Sequence, residues 1–477
     1  MLFTSPVFMF IFLPLVLGLY VVTPKKFRKY VILLSNIAFY ILANISNLTS
    51  VAFLCFILIF TLFGIVVLKR VKADNIRNAT VIVLFLCAVL LMIFYTTRAL
   101  TNSGLGILNI VYPLGASIYI LSAISLLVDI KRGDVENPDN YINFIIYLSF
   151  FPIMIAGPVI KYKNFEKYID SPQFNINNFA RGAKLFAIGF IKRIAIAAVI
   201  YEAYVNILAT INGQIDLPFA ILLLLILALA FYFTLSGYSD MGCGISNMFG
   251  IVQKRDFANT YAATSLIEYM SYFFVSMLEW LQDYIIDPLM SIGNNRLMRG
   301  KKFIAGLIIS CFLTLWYRTD LSLLLIVSPI ILIVAFESCF KSEIVKKRKL
   351  IFCIFSGIAT IFLTSFYWMS IKLADINLIY NYYKYTFTHI STPVPYYAYR
   401  EITNFKYVII FIIAINMLLA STKGSIFNLE YQCKSKIVLT LRYISTILLM
   451  IIFFVTIYYF MPQYPEYAAK AYNILNI

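Results

Sequence analysis

The stretch of this chain that decides its fold is Phe231-Tyr232-Phe233-Thr234-Leu235-Ser236-Gly237-Tyr238-Ser239-Asp240-Met241. It places two tyrosines, two serines, a threonine and an aspartate inside an otherwise apolar run. An ionisable side chain at membrane depth is costly unless it faces protein or water, so Asp240 is predicted to line an internal cavity together with Tyr238 and Ser239. The two alternatives are a polar packing contact and a helix end at the membrane surface.

Composition assigns the chain to the helical membrane proteins. Of its 477 residues, 62% are hydrophobic and 13% are charged, and the mean hydropathy is +0.86. These values argue against a soluble domain and favour an all-α polytopic membrane protein. The sequence contains no internal repeat, low-complexity run or linker that would divide it. We therefore expect residues 1–477 to form a single membrane domain.

The excess of basic residues predicts membrane orientation rather than nucleic-acid binding. Lys and Arg number 39 against 22 Asp and Glu, and they cluster in short loops, which is the positive-inside pattern. The predicted cytoplasmic loops are residues 25–29, 69–77, 131–132, 161–167, 254–255, 296–302, 341–349 and 423–436. The single imidazole, His389, excludes a multi-histidine metal site, and the seven cysteines have no C-x-x-C spacing. We expect no metal and no bound cofactor.

Two apolar regions depart from simple spanning helices. Residues 143–160 have predicted cytoplasmic loops on both sides, so this segment is expected to enter the membrane and return without crossing it. Pro152 and Pro158 support this, because prolines break a helix and free backbone groups that must be satisfied inside protein. Residues 263–316 are expected to form tilted or half-inserted helices. Their acidic residues include Glu268, Glu279, Asp283 and Asp287.

Six segments in register resemble bacterial membrane-bound O-acyltransferases of the alginate O-acetyltransferase type. They are residues 1–8 with 12–14, 113–119, 129–133, 149–152 with 156–162, 236–241, and 280–284 with 288–289. The resemblance implies a ring of about 11 tilted transmembrane helices with re-entrant segments around a central funnel. There a donor from the cytoplasm and an acceptor from outside meet at a histidine in a narrow tunnel.

The resemblance also implies substrates, partners and site residues. The donor would be acetyl-CoA or an acyl-carrier thioester. The acceptor would be a cell-surface polysaccharide exported across the bacterial plasma membrane, and an extracytoplasmic acyltransferase would be a partner. The residues implied for the substrate tunnel are Tyr238, Ser239, Asp240, Trp280, Asp283, Trp316 and Arg318.

This sequence lacks both histidines that the resemblance implies. The stretch matching the first is Glu268-Tyr269-Met270-Ser271-Tyr272-Phe273-Phe274, in which Phe274 takes the histidine position. The second histidine follows a leucine-tryptophan pair, and here Tyr317 follows Leu315-Trp316. Phenylalanine cannot transfer a proton. Tyrosine titrates near pH 10, so Tyr317 would be a poor base unless Arg318 stabilised its phenolate, although its hydroxyl could donate to a developing oxyanion.

Loss of the imidazole predicts little or no transfer by the usual route, since general-base catalysis contributes about two to four decades of rate. Three residues are candidate replacement bases. His389 lies in a loop predicted to be outside, where the alternative is a solvated or structural histidine. Asp240 and Asp283 could serve if burial raised their pKa. Asp283 follows Trp280 by three residues, so both could share a helix face toward the tunnel, or Asp283 could be a surface carboxylate.

Three functions from different classes remain open. The first is an O-acyltransferase component acting on an exported polysaccharide. The second is a scaffold, donor conduit or regulator without transferase chemistry, which the missing histidines favour. The third is a transporter, suggested only by discontinuous apolar segments and opposed by the lack of a repeat.

Residues 380–385, rich in tyrosine, are expected either to anchor at the outer membrane interface or to contact a polysaccharide or partner.

Overall fold

The structure is a computed structural model. It describes residues 2–45, 48–70, 113–135, 138–170, 172–211, 217–257, 260–291, 298–317, 321–344, 350–373 and 449–458, with a few separate residues between 83 and 92 and residues 384, 388 and 447. His389, Arg318 and the tyrosines of residues 380–385 lie outside the described residues, and so do the side chain of Tyr317 and the predicted cytoplasmic loop at 423–436.

All regular elements within these ranges are helices, which confirms the all-α class. The α-helices are α1 Leu13–Val22, α2 Arg28–Ala43, α3 Leu48–Arg70, α4 Ala116–Arg132, α5 Tyr141–Leu148, α6 Tyr162–Asp170, α7 Ile176–Ile191, α8 Ala198–Ile211, α9 Leu217–Met248, α10 Leu266–Tyr272, α11 Val275–Leu281, α12 Asp287–Ser291, α13 Met298–Tyr317, α14 Leu321–Ile344 and α15 Leu350–Leu373. Three π-helical segments are Phe8–Phe12, Lys192–Ala197 and Gln282–Ile286, and three 3₁₀ turns are Lys25–Phe27, Phe151–Ile153 and Thr260–Ala262.

Two described helices are long and apolar enough to cross a membrane, namely Leu48–Arg70 and the Ala220–Met248 part of α9. Shorter apolar helices are Phe8–Val22, Tyr141–Ile153, Leu323–Cys339 and Leu449–Tyr458. Helix α9 runs without interruption through the stretch that opened the sequence analysis, and it ends beyond Asp240. Asp240 therefore does not mark a helix end. The number of spans and their ring arrangement stay predictions.

The chain divides into two compact units that alternate along the sequence. Unit 1 contains Met1–Phe186, Tyr238–Asp256 and Ser276–Pro288. Unit 2 contains Ala187–Gly237, Phe257–Val275 and Leu289–Ile477. The single domain expected for residues 1–477 stays a prediction.

Unit 1 is built around a non-regular segment, residues 149–161, which we call the central loop. Helix α5 ends at Leu148, Pro152 lies in a short 3₁₀ turn, and residues 154–161 are not helical. The prediction that the two prolines break the helix is confirmed. The Asn36 amide of α2 donates to Ile146 O and Ser149 Oγ, both at 3.2 Å, and its Oδ1 accepts from Phe151 N–H at 3.1 Å. One side chain thus satisfies the backbone where the helix stops.

Aromatic packing and a close glycine contact fix the central loop in unit 1. The ring of Phe151 lies 5.0 Å from that of Phe39 and 5.7 Å from that of Phe12, measured between centroids. On another side Gly242 of α9 lies so close to the loop that an added Cβ would sit 2.3 Å from the Pro152 carbonyl oxygen. Helix α9 and the loop therefore touch backbone to backbone, because residue 242 has no side chain.

Unit 2 combines a close helix pair with an aromatic cluster. Helices α13 and α14 approach closely at Gly306, where a Cβ would meet the Cα of Ala335 at 2.7 Å. The aromatic cluster centres on Trp368 of α15, whose indole N–H donates to the Tyr269 hydroxyl of α10 at 3.1 Å. Phe231 stacks on the same indole at 5.2 Å, and Phe273 lies 5.1 Å from it.

Candidate functional site

Asp240 is buried and its carboxylate is fully engaged in an ion pair. Arg255 donates from Nε to Asp240 Oδ1 at 2.9 Å and from Nη2 to Oδ2 at 2.7 Å. Only 2% of the Asp240 side chain is exposed. Such a two-point guanidinium contact neutralises the carboxylate and holds both of its oxygens. The structure thus places Asp240 in a packed ion pair of unit 1, beside the buried residues Tyr238 and Ser239.

Asp283 is ion-paired as well. It lies in the π-helical segment that follows α11, and its Oδ2 accepts from the Lys161 ammonium of the central loop. Its backbone carbonyl accepts from Arg132 Nη2 at 3.1 Å. Trp280, three residues earlier, is buried, whereas the Asp283 side chain is one-third exposed. The carboxylate therefore joins α11 to the central loop, and its predicted role in the tunnel stays a prediction.

Beside this pair lies a buried acid that the sequence analysis left out of the site, Asp129 at the last turn of α4. Its Oδ1 accepts from the Tyr284 hydroxyl at 2.7 Å, and the Arg132 guanidinium lies 5.3 Å from the centre of the Tyr284 ring. Oδ2 is buried and accepts no hydrogen bond from the described residues. Burial raises the pKa of Asp129 to about 6, opposed by the bond from Tyr284 and the charges of Lys163 and Arg132.

Asp256 is the second buried acid that sequence reasoning missed. It follows α9 in the chain and is 2% exposed. Its Oδ1 accepts from the backbone N–H of Ser276 in the first turn of α11 at 2.7 Å, while its Oδ2 is buried and receives no hydrogen bond from the described part of the chain. In the sequence the only signal was an acid at the end of the predicted cytoplasmic Lys254-Arg255 loop, which indicates a solvated residue rather than a buried one.

The first histidine position of the resemblance is occupied in unit 2 by a buried ring on a strained backbone. Phe274 is 6% exposed and has φ of 59°, the only positive φ of a non-glycine residue among those described. Its ring lies 4.8 Å from Phe257 and 5.2 Å from Phe273. A left-handed backbone costs a bulky residue free energy, so the surrounding packing must impose it.

Phe274 lines a small apolar cavity of about 20 Å³ in unit 2. Its walls are Leu266, Tyr269, Met270, Phe273, Phe274, Leu313, Ile330, Thr364, Tyr367 and Trp368. Among these lining residues there is no carboxylate, ammonium or imidazole. The cavity can hold a group of about the size of a methyl or a water molecule. Its surface is almost wholly apolar, because the hydroxyls of Tyr367 and Thr364 donate to Thr314 and to the Thr360 carbonyl instead.

The remaining predicted site residues lie at the end of α13. Trp316 packs against Phe312, with ring centres 5.7 Å apart. Tyr317 is the last residue of α13, and its side chain is outside the described set. The structure therefore assigns Tyr238, Ser239, Asp240, Trp280 and Asp283 to unit 1, and Phe274 and Trp316 to unit 2.

Comparison with known proteins gives one family and several relatives. The family model described as MBOAT, membrane-bound O-acyltransferase family, matches residues 32–316. A protein of Pseudomonas fluorescens named "Probable alginate O-acetylase AlgI" is 29% identical, covering 62% of this chain and 58% of its own length. A protein of the same name from Azotobacter vinelandii is 30% identical, and the match covers 62% of this chain and 60% of that protein. A "Peptidoglycan O-acetyltransferase" of Helicobacter pylori is 25% identical, covering 62% of each chain. The matches thus span about 60% of these relatives.

Proposed function

The chain belongs to the membrane-bound O-acyltransferase family, and on that premise we propose that it takes part in the O-acylation of an exported cell-surface polysaccharide, with acetyl as the acyl group. The observation that carries the proposal is the family match over residues 32–316, supported by relatives whose names specify O-acetylation of alginate and of peptidoglycan. The donor is an acyl thioester such as acetyl-CoA or an acyl-carrier protein conjugate. The chain works as a multi-pass protein of the bacterial plasma membrane, with an extracytoplasmic acyltransferase as partner.

The packing of unit 1 brings resembling segments together. Two of the resembling segments, residues 12–14 and 149–152, contact each other there through Phe12 and Phe151. Gly242, directly after the segment 236–241, lies against the Pro152 carbonyl. Two opposite-charge pairs, Asp240 with Arg255 and Asp283 with Lys161, tie helix α9 and the segment after α11 to their surroundings. Because buried or half-buried ion pairs are costly unless their geometry is maintained, these pairs constrain the structure around the resembling segments.

Acyl transfer to a hydroxyl needs a group that removes the hydroxyl proton and returns it to the leaving group. Phe274 cannot do so, and the residues that line its apolar cavity include no carboxylate or imidazole. Tyr317, which resembles the second histidine position, could donate a hydrogen bond to the developing oxyanion. The proposed transfer therefore uses no imidazole at either of these two positions, and His389 stays a predicted replacement base.

A second candidate function is a scaffold or acyl-donor conduit in a polysaccharide-export complex. The observation that favours it is the apolar cavity at Phe274, where proton transfer by the lining residues is not supported. In this alternative a partner protein carries out the chemistry, and the chain supplies the membrane passage.

The test is the ester-linked acyl content of purified surface polysaccharide in a deletion strain. The strain is complemented with wild type, Tyr317→Ala, Tyr317→Phe or an empty vector, and membrane abundance of each protein is checked by immunoblot. Restoration by wild type but by neither variant supports transfer that uses the Tyr317 hydroxyl, and restoration by Tyr317→Phe shows that the hydroxyl is dispensable. An acyl content that does not depend on the gene would overturn the acylation proposal.

A further inference from the structure

The turn between α1 and α2 concentrates positive charge that the surrounding sequence does not balance. Residues 1–70 contain no aspartate and no glutamate, and the first acid of the chain is Asp74. The basic residues of the same stretch are Lys25, Lys26, Arg28 and Lys29 at the turn, and Lys69 and Arg70 at the end of α3. The turn thus carries four of the six positive charges of a segment that has no negative side chain.

One of these four cations, Arg28, has a structural role. Its Nε donates to the Thr23 carbonyl at 3.1 Å and its Nη2 to the Val21 carbonyl at 3.4 Å. The guanidinium also lies 5.3 Å from the centre of the Tyr20 ring. Arg28 therefore binds carbonyls at the carboxyl end of α1, where a cation is favourable.

The three lysines of the turn differ from Arg28, because they form no ion pair with the described residues. Lys25 and Lys26 are exposed, and the Lys29 ammonium lies 5.7 Å from the centre of the neighbouring Tyr30 ring. In three other predicted cytoplasmic loops of unit 1 a cation is held by a carboxylate. These pairs are Lys69 with Asp139, Lys161 with Asp283, and Arg255 with Asp240. The lysines of the turn are therefore available to an anion from outside the chain.

Both helices that adjoin the turn present an exposed apolar face. On α1 the exposed residues Leu15, Leu19 and Val22 recur at helical spacing and so share one side of the helix, with Val22 84% exposed. The exposed residues of α2 with the same spacing are Tyr30, Leu34, Ile37 and Ile41. Large apolar side chains uncovered along two neighbouring helices indicate a surface that contacts lipid chains.

The lysines lie where these two apolar faces end. Lys25 is three residues beyond Val22, and Lys29 directly precedes Tyr30. Phe27, between them, is exposed as well. A phospholipid has the same division, since its charged phosphodiester lies at the membrane surface and its chains lie below. Lysine suits this level, because its apolar stem packs against hydrocarbon while its ammonium reaches the headgroups.

We propose that the α1–α2 turn binds an anionic phospholipid. Lys25, Lys26 and Lys29 hold its phosphodiester headgroup, and its acyl chains lie along the exposed faces of α1 and α2. The apolar faces favour a lipid over an acidic protein, because a protein that docked from the aqueous side would meet the lysines alone. The lipid takes no part in the proposed acyl transfer, so this inference stands or falls independently of that function.

The experiment measures lipid binding to the purified full-length protein by native mass spectrometry. The protein in detergent is mixed with equal amounts of dioleoylphosphatidylglycerol, which is anionic, and dioleoylphosphatidylcholine, which is zwitterionic. The ratio of the two bound populations gives the preference for the anionic headgroup. We expect wild type to prefer phosphatidylglycerol, and Lys25→Gln/Lys26→Gln to lower the preference by about 5- to 25-fold, with about 5-fold for each lysine. Lys25→Arg/Lys26→Arg should retain it, because the charge is kept.

The matched control is Lys163→Gln/Lys254→Gln, which removes the same charge from unit 1. Both lysines are exposed in predicted cytoplasmic loops, but each lies near a carboxylate, Lys163 at 3.8 Å from Asp134 and Lys254 at 3.7 Å from Glu279. This variant should keep the wild-type preference. Glycerol 1-phosphate provides a second control, since it offers the phosphate without acyl chains. In excess it should not displace the bound phosphatidylglycerol.

Four outcomes would overturn the inference. A wild type without preference for phosphatidylglycerol has no such site, and equal losses in the two glutamine variants would reflect net charge alone. Displacement by glycerol 1-phosphate would identify a site for a free phosphate instead of a lipid. An unchanged lipid preference in Lys25→Gln/Lys26→Gln, together with lost binding of an acidic acyl carrier protein, would assign the lysines to a protein partner.

Discussion

At the residue scale, the backbone of Phe274 holds a conformation that bulky side chains avoid. With φ of 59° it is left-handed, and a β-branched side chain is disfavoured there more strongly than an unbranched one. Leucine and isoleucine contain the same atoms, so Phe274→Leu and Phe274→Ile remove the same ring and differ mainly in branching. We expect Phe274→Ile to be less stable than Phe274→Leu by about 1 kcal/mol or more, measured by thermal unfolding of the purified protein.

The matched control is the preceding residue. Phe273 is also buried in the aromatic cluster, but its φ of −105° and ψ of 112° are extended and suit a β-branched side chain. Phe273→Ile should therefore be no less stable than Phe273→Leu. If the two substitutions at position 274 unfolded at the same temperature, the left-handed backbone would not be a source of strain.

The predictability of the candidate site differs from residue to residue. The burial of Asp240 follows from an aspartate within an apolar run, which is a local signal. The burial of Asp256 does not follow from a local signal. It depends on the contact with Ser276 of α11, which in turn contacts the central loop, and the loop is distant in sequence. An acid after Lys254-Arg255 resembles a solvated loop residue until the fold brings Ser276 to it. The positive φ of Phe274 is likewise imposed by packing, since phenylalanine carries no preference for it.

At the scale of elements, the contact between α9 and the central loop depends on a missing side chain. An alanine Cβ at position 242 would lie 2.3 Å from the Pro152 carbonyl oxygen, far inside van der Waals contact, and the opposing atom is backbone that cannot rotate away. Gly242→Ala is therefore expected to destabilise the protein by about 1–3 kcal/mol or more through overpacking. Thermal unfolding and the yield of folded protein from membranes would measure this effect.

Gly18 in α1 provides the control for the same substitution. It is also helical, but nothing lies within 4 Å of an added Cβ. Gly18→Ala is expected to be neutral or stabilising by up to about 1 kcal/mol, because alanine favours the helix. Equal stability of the Gly242 and Gly18 variants would mean that the loop can move aside and does not fix α9.

The same elements show which structural features can be predicted from a sequence pattern. Two prolines in an apolar run predicted the broken helix of the central loop, since a proline in a helix interior removes a backbone hydrogen bond. The continuity of α9 was less apparent, because Gly237, Gly242 and Gly244 within it are equally typical of turns. In the structure these three glycines serve close backbone contacts instead, and such contacts depend on partners distant in sequence.

At the scale of the whole molecule, the two buried acids Asp129 and Asp256 make stability depend on pH in an unusual direction. Burial raises the pKa of each to about 6, above the value near 3.9 expected in the unfolded chain. Between these values the folded state binds more protons than the unfolded state, so the contribution of each acid to stability is lost as the pH rises through about 6.

Substituting one of these acids by asparagine should remove the contribution of that acid to the pH dependence of folding stability. For Asp129→Asn, the unfolding temperature of the variant minus that of wild type should be larger at pH 8 than at pH 5. Only about one unit of the two-unit shift in pKa lies above pH 5, so the change in stability between pH 5 and pH 8 is about 1.4 kcal/mol, or a few °C at most in a chain of this size. The difference between the two pH values is the informative quantity, because the new amide N–H₂ has its own cost at every pH. A difference that stayed constant from pH 5 to pH 8 would show that Asp129 does not change its protonation on folding.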